Sequence, residues 1–96
     1  MIISFADKMT EDIYHGRASK AALKFPVLLH RIAQRKLSIL NRAKIIQDIK
    51  VPPSNHLEML KGDLKGKYSI RINKQWRIVF NWTEVGIENV TIMDYH

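Results

Sequence analysis

A chain of 96 residues can build one hydrophobic core but not two, so the length predicts a single domain spanning residues 1–96. It has no cysteine, which excludes disulfide bonds and cysteine-ligated zinc, and no apolar run near the roughly 18 residues that cross a bilayer, so we expect a cytoplasmic protein without membrane contacts. Sixteen lysines and arginines against nine aspartates and glutamates give a net charge of +7, which predicts a polyanionic partner.

The chain opens with a strand pattern followed by a short helix pattern. Residues 2–5 are an apolar run that can form a buried first strand. Asp7 or Thr10 can cap a helix that continues through Tyr14, because their side-chain oxygens can accept a hydrogen bond from the first helical turn. Gly16 is suited to end that helix.

The middle of the chain has a helical period. The pattern predicts a helix over residues 25–43, with Pro26 in its first turn, where a missing N–H costs nothing. A shorter helical segment is expected over residues 43–49, ending before Pro52. The side chains assigned to the buried stripe of the long helix and to its edge are Phe25, Leu28, Leu29, Ile32, Lys36, Ile39, Leu40 and Ala43.

From residue 55 onward the period changes from 3.6 to 2, which predicts strands. A three-residue connection over residues 73–75 places Ile70 opposite Ile78, so that the apolar side chains share one face. The same register makes Arg71 and Arg77 cross-strand neighbours on the other face. Two like charges there repel, unless solvent screens them or a phosphate binds between them.

The last strand is expected over residues 87–93, after a turn at Gly86. Trp76 and Trp82 share the parity of the apolar face, which favours a role in the core over base stacking. The predicted fold class is therefore α+β, a small antiparallel sheet of about four strands with the N-terminal helices packed on one face.

Positive charge is segregated along the chain. Eight basic residues and no acidic one lie between residues 17 and 47, and six basic residues accompany only Asp63 between residues 61 and 77. Such a surface favours nucleic acid over a membrane or an acidic protein, although charge alone does not separate them. The loop at residues 60–67 contains three lysines and two glycines and is either a solvated hairpin loop or a phosphate contact.

The four histidines occur at positions 15, 30, 56 and 96, and no two have the spacing of metal ligands on one helix. We therefore expect no metal ion. His96 differs from the others because it directly follows Asp94 and Tyr95, so three hydrogen-bonding or proton-transferring groups are consecutive at the end of the sequence.

Several motifs occur in an order that resembles one protein family. They are Leu-Lys-Gly-Asp at 60–63, Ser-Ile-Arg at 69–71, Gln-Trp-Arg at 75–77 and Asp-Tyr-His at 94–96. Together with the opening Ile-Ile-Ser-Phe and the helical middle, they resemble the HigB family of bacterial toxins within the RelE-like superfamily. The resemblance covers most of the chain and implies the RelE-like version of the α+β fold.

The resemblance also implies a function. Members of this family are toxins of type II toxin–antitoxin modules and act as ribosome-dependent endoribonucleases that cleave messenger RNA without a metal ion or organic cofactor. The ribose 2′-hydroxyl attacks the neighbouring phosphate. The implied partners are messenger RNA on the ribosome and a HigA-like antitoxin with a helix-turn-helix domain, through which alone operator DNA is contacted.

Residue roles follow from the same resemblance. Arg77 matches the arginine that contacts the scissile phosphate, and Lys61 matches a loop lysine, so both are expected to stabilise the charge of the transition state. Asp94, Tyr95 and His96 match a terminal catalytic triplet, in which the imidazole of His96 can serve as acid or base near neutral pH.

The chain departs from the family at one position. Several members have a histidine three residues before the loop lysine, where this chain has Glu58, and His56 precedes it by two residues. In an extended strand the two side chains point the same way, so either could accept the proton. Alternation in the last strand places Asp94 and His96 on the buried side unless a bulge or the strand end redirects them.

Three cationic side chains are assigned to RNA binding. Arg71 is assigned from the strand pairing, whereas Lys65 and Lys67 are general phosphate contacts. Two alternatives to a ribonuclease remain open at this point. One is a basic RNA-binding module without enzymatic activity, and the other is a regulatory partner subunit of a DNA-binding antitoxin.

Overall fold

The computed structural model describes residues 1–95 and has the predicted α+β architecture. All neighbouring strands in its four-stranded sheet are antiparallel, and the order in the sheet is the order in the sequence. Within residues 1–95, no helix is both long and apolar enough to span a bilayer. The helices and strands are α1 (Lys8–Tyr14), α2 (His30–Arg42), β1 (Glu58–Met59), β2 (Tyr68–Arg71), β3 (Trp76–Thr83) and β4 (Gly86–Asp94), connected in part by short 3-10 turns.

The N-terminal segment forms two isolated bridges where a full strand was predicted. Ile2 pairs with Ile87 and Phe5 pairs with Val90, both in the parallel sense, along the edge of β4. Between these two bridges Asn89 has a left-handed backbone with φ of 56°, which interrupts regular pairing. The segment is nevertheless held in place, because the N–H of Ile3 donates to the carbonyl of Ile87 at 2.7 Å.

Helix α1 begins and ends as predicted. The Asp7 carboxylate accepts the Thr10 N–H at 2.7 Å and so caps the first turn, and Gly16 follows the helix with φ of 71°. The buried Thr10 hydroxyl accepts the N–H of Ile92 at 3.0 Å. This bond ties α1 directly to β4.

Helix α2 is shorter than predicted. It begins at His30, whereas the helical period predicted a start at Phe25. The chain has extended dihedral angles at Phe25, since a residue before proline avoids the helical region, and a 3-10 turn (Val27–Leu29) precedes the helix. Leu28 is 92% exposed, so its assignment to the buried stripe was wrong. The fully buried residues of α2 are Ala33, Leu37 and Leu40. The shorter helix expected over residues 43–49 is a 3-10 turn at Ile46–Lys50.

The β2–β3 hairpin has the predicted register. Ile70 faces Ile78 and Arg71 faces Arg77, which confirms the three-residue connection. The apolar face of this hairpin packs with α2 in one hydrophobic cluster, and Trp76 and Trp82 are partly buried against it as predicted. The opposite face is less open than alternation suggests, because Ser69, Arg77 and Val79 on that face are buried as well.

Candidate functional site

A cleft of about 260 Å³ lies on the sheet face opposite the hydrophobic cluster. Three parts of the chain supply its walls, namely β1 with the segment before it, the β2–β3 hairpin and the residue after β4. The residues that line it are His56, Glu58, Arg71, Asn73, Lys74, Arg77 and Tyr95. Five of them are residues to which the sequence assigned a role in catalysis or RNA binding.

Arg77 lies in the wall of this cleft and is only 7% exposed. Its Nε donates to the Ser69 hydroxyl at 2.7 Å, and its Nη2 donates to the His56 carbonyl and, at 3.4 Å, to the Ser69 carbonyl. The Glu58 carboxylate lies 4.0 Å from Nη2. A guanidinium held on two sides in this way has a fixed orientation, which a flexible surface arginine lacks.

His56 reaches the cleft by a different backbone path from the one predicted. The prediction that an extended strand aligns His56 with Glu58 is wrong. Strand β1 comprises only Glu58–Met59, and His56 has left-handed angles of φ 45° and ψ 57°. It directly follows the 3-10 turn Pro53–Asn55. Both side chains still line the same cleft, so the two candidate proton acceptors remain neighbours.

Asn55 anchors the turn that carries His56. Its amide is fully buried and donates to the carbonyls of Ile49 at 3.0 Å and Val51 at 3.3 Å, and its Oδ1 accepts a hydrogen bond from Lys36 of α2. Burial lowers the pKa of Lys36, and the positive charge of Arg35 contributes to the same effect. This connection from α2 was missed in the sequence, where nothing pairs positions 36 and 55.

Alternation continues to the end of β4 and separates Asp94 from Tyr95. Asp94 pairs with Trp76 and accepts a hydrogen bond from the Gln75 side chain at 2.9 Å, so it stays on the parity of the core face and does not line the cleft. Tyr95 has the opposite parity, and its ring centre lies 5.7 Å from Cζ of Arg77. The irregularity of β4 lies near Asn89, too far upstream to redirect Asp94. The predicted role of His96 lies outside the described residues.

The lysines of the 60–67 loop lie elsewhere. Lys61 and Lys65 line a separate and mainly apolar concavity with Met59 and Leu60. Lys67 donates to the Asn81 side chain at 2.9 Å. The structure therefore does not bring the predicted pair of Lys61 and Arg77 into one cleft.

The cleft combines cations with groups that exchange protons. Arg71, Lys74 and Arg77 provide positive charge, and the carboxylate of Glu58 is the negative group in its lining. An imidazole, a carboxylate and a phenol beside a fixed guanidinium suit acid–base chemistry on a phosphate group. Within residues 1–95, no three His, Asp or Glu side chains are grouped closely enough to hold a metal ion. Ser69 was not singled out from the sequence, although its parity with Arg71 and Arg77 was visible there.

Comparison with known proteins shows the family of the chain. Residues 3–96 match a family described as the RelE-like toxin HigB of type II toxin–antitoxin systems. Toxin HigB-1 of Vibrio cholerae serotype O1 is 38% identical over 96 residues, covering 100% of this chain and 98% of the relative. An uncharacterized protein of Haemophilus influenzae is 36% identical over 67 residues, covering 70% of this chain and 66% of the relative.

The fold is also found in solved structures. A YoeB–YefM complex from Staphylococcus aureus contains a chain that superposes with a TM-score of 0.60 at 19% sequence identity, covering 100% of this chain and 98% of the other. A second structure, of the heterotetrameric YoeB–YefM toxin–antitoxin complex from the same organism, gives the same values. The full-length match to the family and to a HigB toxin carries the assignment, and the protein belongs to the HigB-like family of RelE-like toxins from type II toxin–antitoxin systems.

Proposed function

We propose that this toxin is a metal-independent endoribonuclease that cleaves messenger RNA on the ribosome, in the cytoplasm, and that the cleft around Arg77 is its active site. The observation that carries the proposal is the fixed guanidinium of Arg77 beside Glu58, His56 and Tyr95 in one cleft. Cleavage of RNA through its own 2′-hydroxyl needs a proton acceptor, charge stabilisation and a proton donor, and no protein nucleophile.

In the proposed reaction the ribose 2′-oxygen forms a bond to the adjacent phosphorus, and the bond to the 5′-oxygen of the next nucleotide breaks. Glu58 or His56 takes the proton from the 2′-hydroxyl, and the departing 5′-oxygen receives a proton from His96 or Tyr95 of the proposed terminal triplet, in which Asp94 could hold the imidazolium form of His96. The products are a cyclic phosphate and a free 5′-hydroxyl. Tyr95 supports this assignment through its position over Arg77.

Charge stabilisation is assigned first to Arg77. An arginine has five N–H donors, and the bonds from Nε and Nη2 leave the Nη1 edge for phosphate oxygens. Arg71 is its cross-strand neighbour and lines the same cleft, so a phosphate between them would relieve their repulsion. Lys61, Lys65 and Lys67 are proposed to contact RNA outside this cleft.

The proposed partners follow from the family. The toxin is paired with an antitoxin, and we propose that this partner is HigA-like, carries a helix-turn-helix domain and is the only route by which operator DNA is contacted. The net charge of +7 attracts phosphate groups and so supports an RNA substrate for the free toxin.

Primer extension on a translated messenger tests the activity. The unaltered protein should produce discrete new 5′ ends, and Arg77→Lys should remove them, because an ammonium group cannot replace the fork of the guanidinium. Arg42→Lys is the matched control, since Arg42 is exposed at the end of α2. If expression of the unaltered protein leaves the messenger uncut and growth unaffected, the proposal is contradicted.

Arg77→Ala is a less informative variant than Arg77→Lys. Removing a guanidinium that is 7% exposed leaves Ser69 and the His56 carbonyl without their donor, so we expect this variant to lose about 1–3 kcal/mol of unfolding free energy as well as activity.

The proton acceptor and donor are tested with three separate variants. Glu58→Gln and His56→Gln keep the size of each side chain, and the one that abolishes cleavage identifies the acceptor. His96→Gln should lower cleavage by about 100-fold or more if the imidazole transfers the proton. If all three variants cleave normally, the assignment of proton transfer to these residues and to this cleft is wrong.

A further inference from the structure

A second cleft of about 400 Å³ adjoins the one around Arg77. The two share His56, Arg71 and Asn73 in their linings, so they lie side by side between the end of β4 and helix α2. The second cleft adds Arg35 and Lys36 from α2. We call it the α2 cleft.

The lining of the α2 cleft is cationic. Arg35, Lys36 and Arg71 contribute positive charge, and no carboxylate occurs among the described residues that line it. The Lys36 side chain is partly buried and its pKa is lowered by that burial and by the charge of Arg35. A bound anion would offset the repulsion between these neighbouring cations.

Arg35 and Lys36 have different parts in this cleft. Lys36 already donates to Asn55 and thereby supports the turn that carries His56. Arg35 is exposed at the adjacent position of the helix, and its long side chain can reach a ligand in the α2 cleft. Arg35 can therefore contact a phosphate without breaking the hydrogen bond between Lys36 and Asn55.

The lysine loop does not offer a comparable extension of the reacting cleft. Lys61 and Lys65 lie beside an apolar concavity that shares no lining residue with either cleft, and Lys67 is bonded to Asn81. Within residues 1–95, the cationic lining that continues from Arg77 runs through Arg71 to α2.

We propose that the α2 cleft binds the phosphodiester backbone of the nucleotides next to the cleavage site, with Arg35 contacting a phosphate and Arg71 lying at the junction of the two clefts. This inference rests on the proposed function of the cleft around Arg77 and adds the direction in which the single-stranded RNA leaves it. Its ligand is RNA backbone, recognised by charge and independent of base sequence.

The test is equilibrium binding of a fluorescent RNA hexamer and of a dinucleotide, both with 2′-O-methyl groups so that neither can be cleaved. Arg35→Ala should weaken hexamer binding severalfold and reduce the slope of log K against log salt concentration by about 0.7, the value for one phosphate contact on a single strand. Dinucleotide binding should not change, because two nucleotides fill only the reacting cleft.

Arg42→Ala is the matched control. Arg42 is an exposed arginine on the same helix, and it lies about 10 Å further along the axis at 1.5 Å per residue. The net charge of this variant equals that of Arg35→Ala, so non-specific attraction is reduced equally in both. The salt slope of Arg42→Ala should equal that of the unaltered protein.

Three results would overturn the inference. The first is an equal effect of Arg35→Ala and Arg42→Ala on the hexamer, and the second is no measurable hexamer binding by the unaltered protein at low salt. The third is loss of antitoxin co-purification by Arg35→Ala with RNA binding unchanged, which would make the cleft a docking site for an acidic protein. None of these depends on primer extension with Arg77→Lys, so failure of this inference and failure of the proposed cleavage activity are separate observations.

Discussion

At the scale of single residues, the protein uses buried polar groups to hold its candidate site. Arg77 and Ser69 lie on a face that alternation alone would leave to solvent, and both are buried there. Arg77 gains its fixed orientation from bonds to Ser69 and to the carbonyl of His56, which is 21 positions away in the sequence. A residue expected to act only on substrate therefore also contributes to stability.

Asp12 is another buried polar residue and leads to a pH prediction. Hydrogen bonds from Ser19 and Lys8, with a further one from Arg17, lower the pKa of Asp12 from 3.8 to about 2. Because the folded pKa is the lower one, this carboxylate stabilises the fold fully above pH 3.8, and the contribution is lost as the pH falls towards 2. We expect Asp12→Asn to unfold more easily than the unaltered protein at pH 7, with the difference shrinking below pH 4.

Urea unfolding midpoints measured between pH 7 and pH 2 check this expectation. Asp63→Asn is the control, because Asp63 is exposed in the 3-10 turn Gly62–Leu64 and should change the midpoint little at any pH. A difference between Asp12→Asn and the unaltered protein that stays constant down to pH 2 would show that charge on Asp12 is not what stabilises α1.

At the scale of elements, the N-terminal segment and β4 depend on each other. The N–H of Ile87 donates to the carbonyl of Met1 at 2.9 Å, and this contact covers part of an otherwise open sheet edge. Gly86 permits the close approach, since it has φ of 149° and a Cβ there would lie 2.7 Å from the Met1 carbonyl oxygen and 2.6 Å from Ile3 Cγ1.

Gly86→Ala should therefore release the N-terminal segment. Gly62→Ala is the matched control, because Gly62 also has a positive φ, of 67°, but a Cβ at that position meets nothing within 4 Å. We expect Gly86→Ala to lose about 1–3 kcal/mol more unfolding free energy than Gly62→Ala, the cost of a steric clash added to backbone strain. Urea unfolding measures both, and equal losses would mean that the edge contact contributes nothing.

At the scale of the whole molecule, one hydrophobic cluster joins the helices to the sheet. Its members come from α1, α2, the 3-10 turns and three strands, so no part of the described chain has a core of its own. A structure of this kind is expected to unfold in one cooperative step, as a single domain does.

The two tryptophans provide the measurement for that expectation. Trp76 and Trp82 lie near opposite ends of β3 and are the only tryptophans in the sequence. Trp76→Phe and Trp82→Phe leave one fluorescent probe each, and in each variant the fluorescence midpoint in urea should coincide with that of far-ultraviolet circular dichroism, with a slope of about 1 kcal/mol per molar urea. Separate midpoints within one variant would indicate two independently folding parts.

The sequence by itself determined the features that depend on neighbouring residues. The β2–β3 register and the pairing of Arg71 with Arg77 follow from local periodicity and turn length, and the structure confirms them. The sequence offered Asp7 or Thr10 as the cap of α1, and the structure shows that the cap is Asp7. The order of short motifs along the chain also indicated the family, which the full-length match then showed. The start of α2 was placed too early because the helical period continued across the extended residues at Phe25 and Pro26.

Only the tertiary structure decided which predicted residues share a cleft. The left-handed turn at His56, the burial of Arg77 and the separation of the lysine loop depend on contacts such as Lys36 with Asn55, 19 positions apart. Such contacts form when the core closes and buried polar groups must find partners. Periodicity predicts the face of the sheet on which a side chain lies. It does not predict which distant segment packs against that face, and the candidate site depends on such a segment, because the turn that carries His56 lies against Arg77.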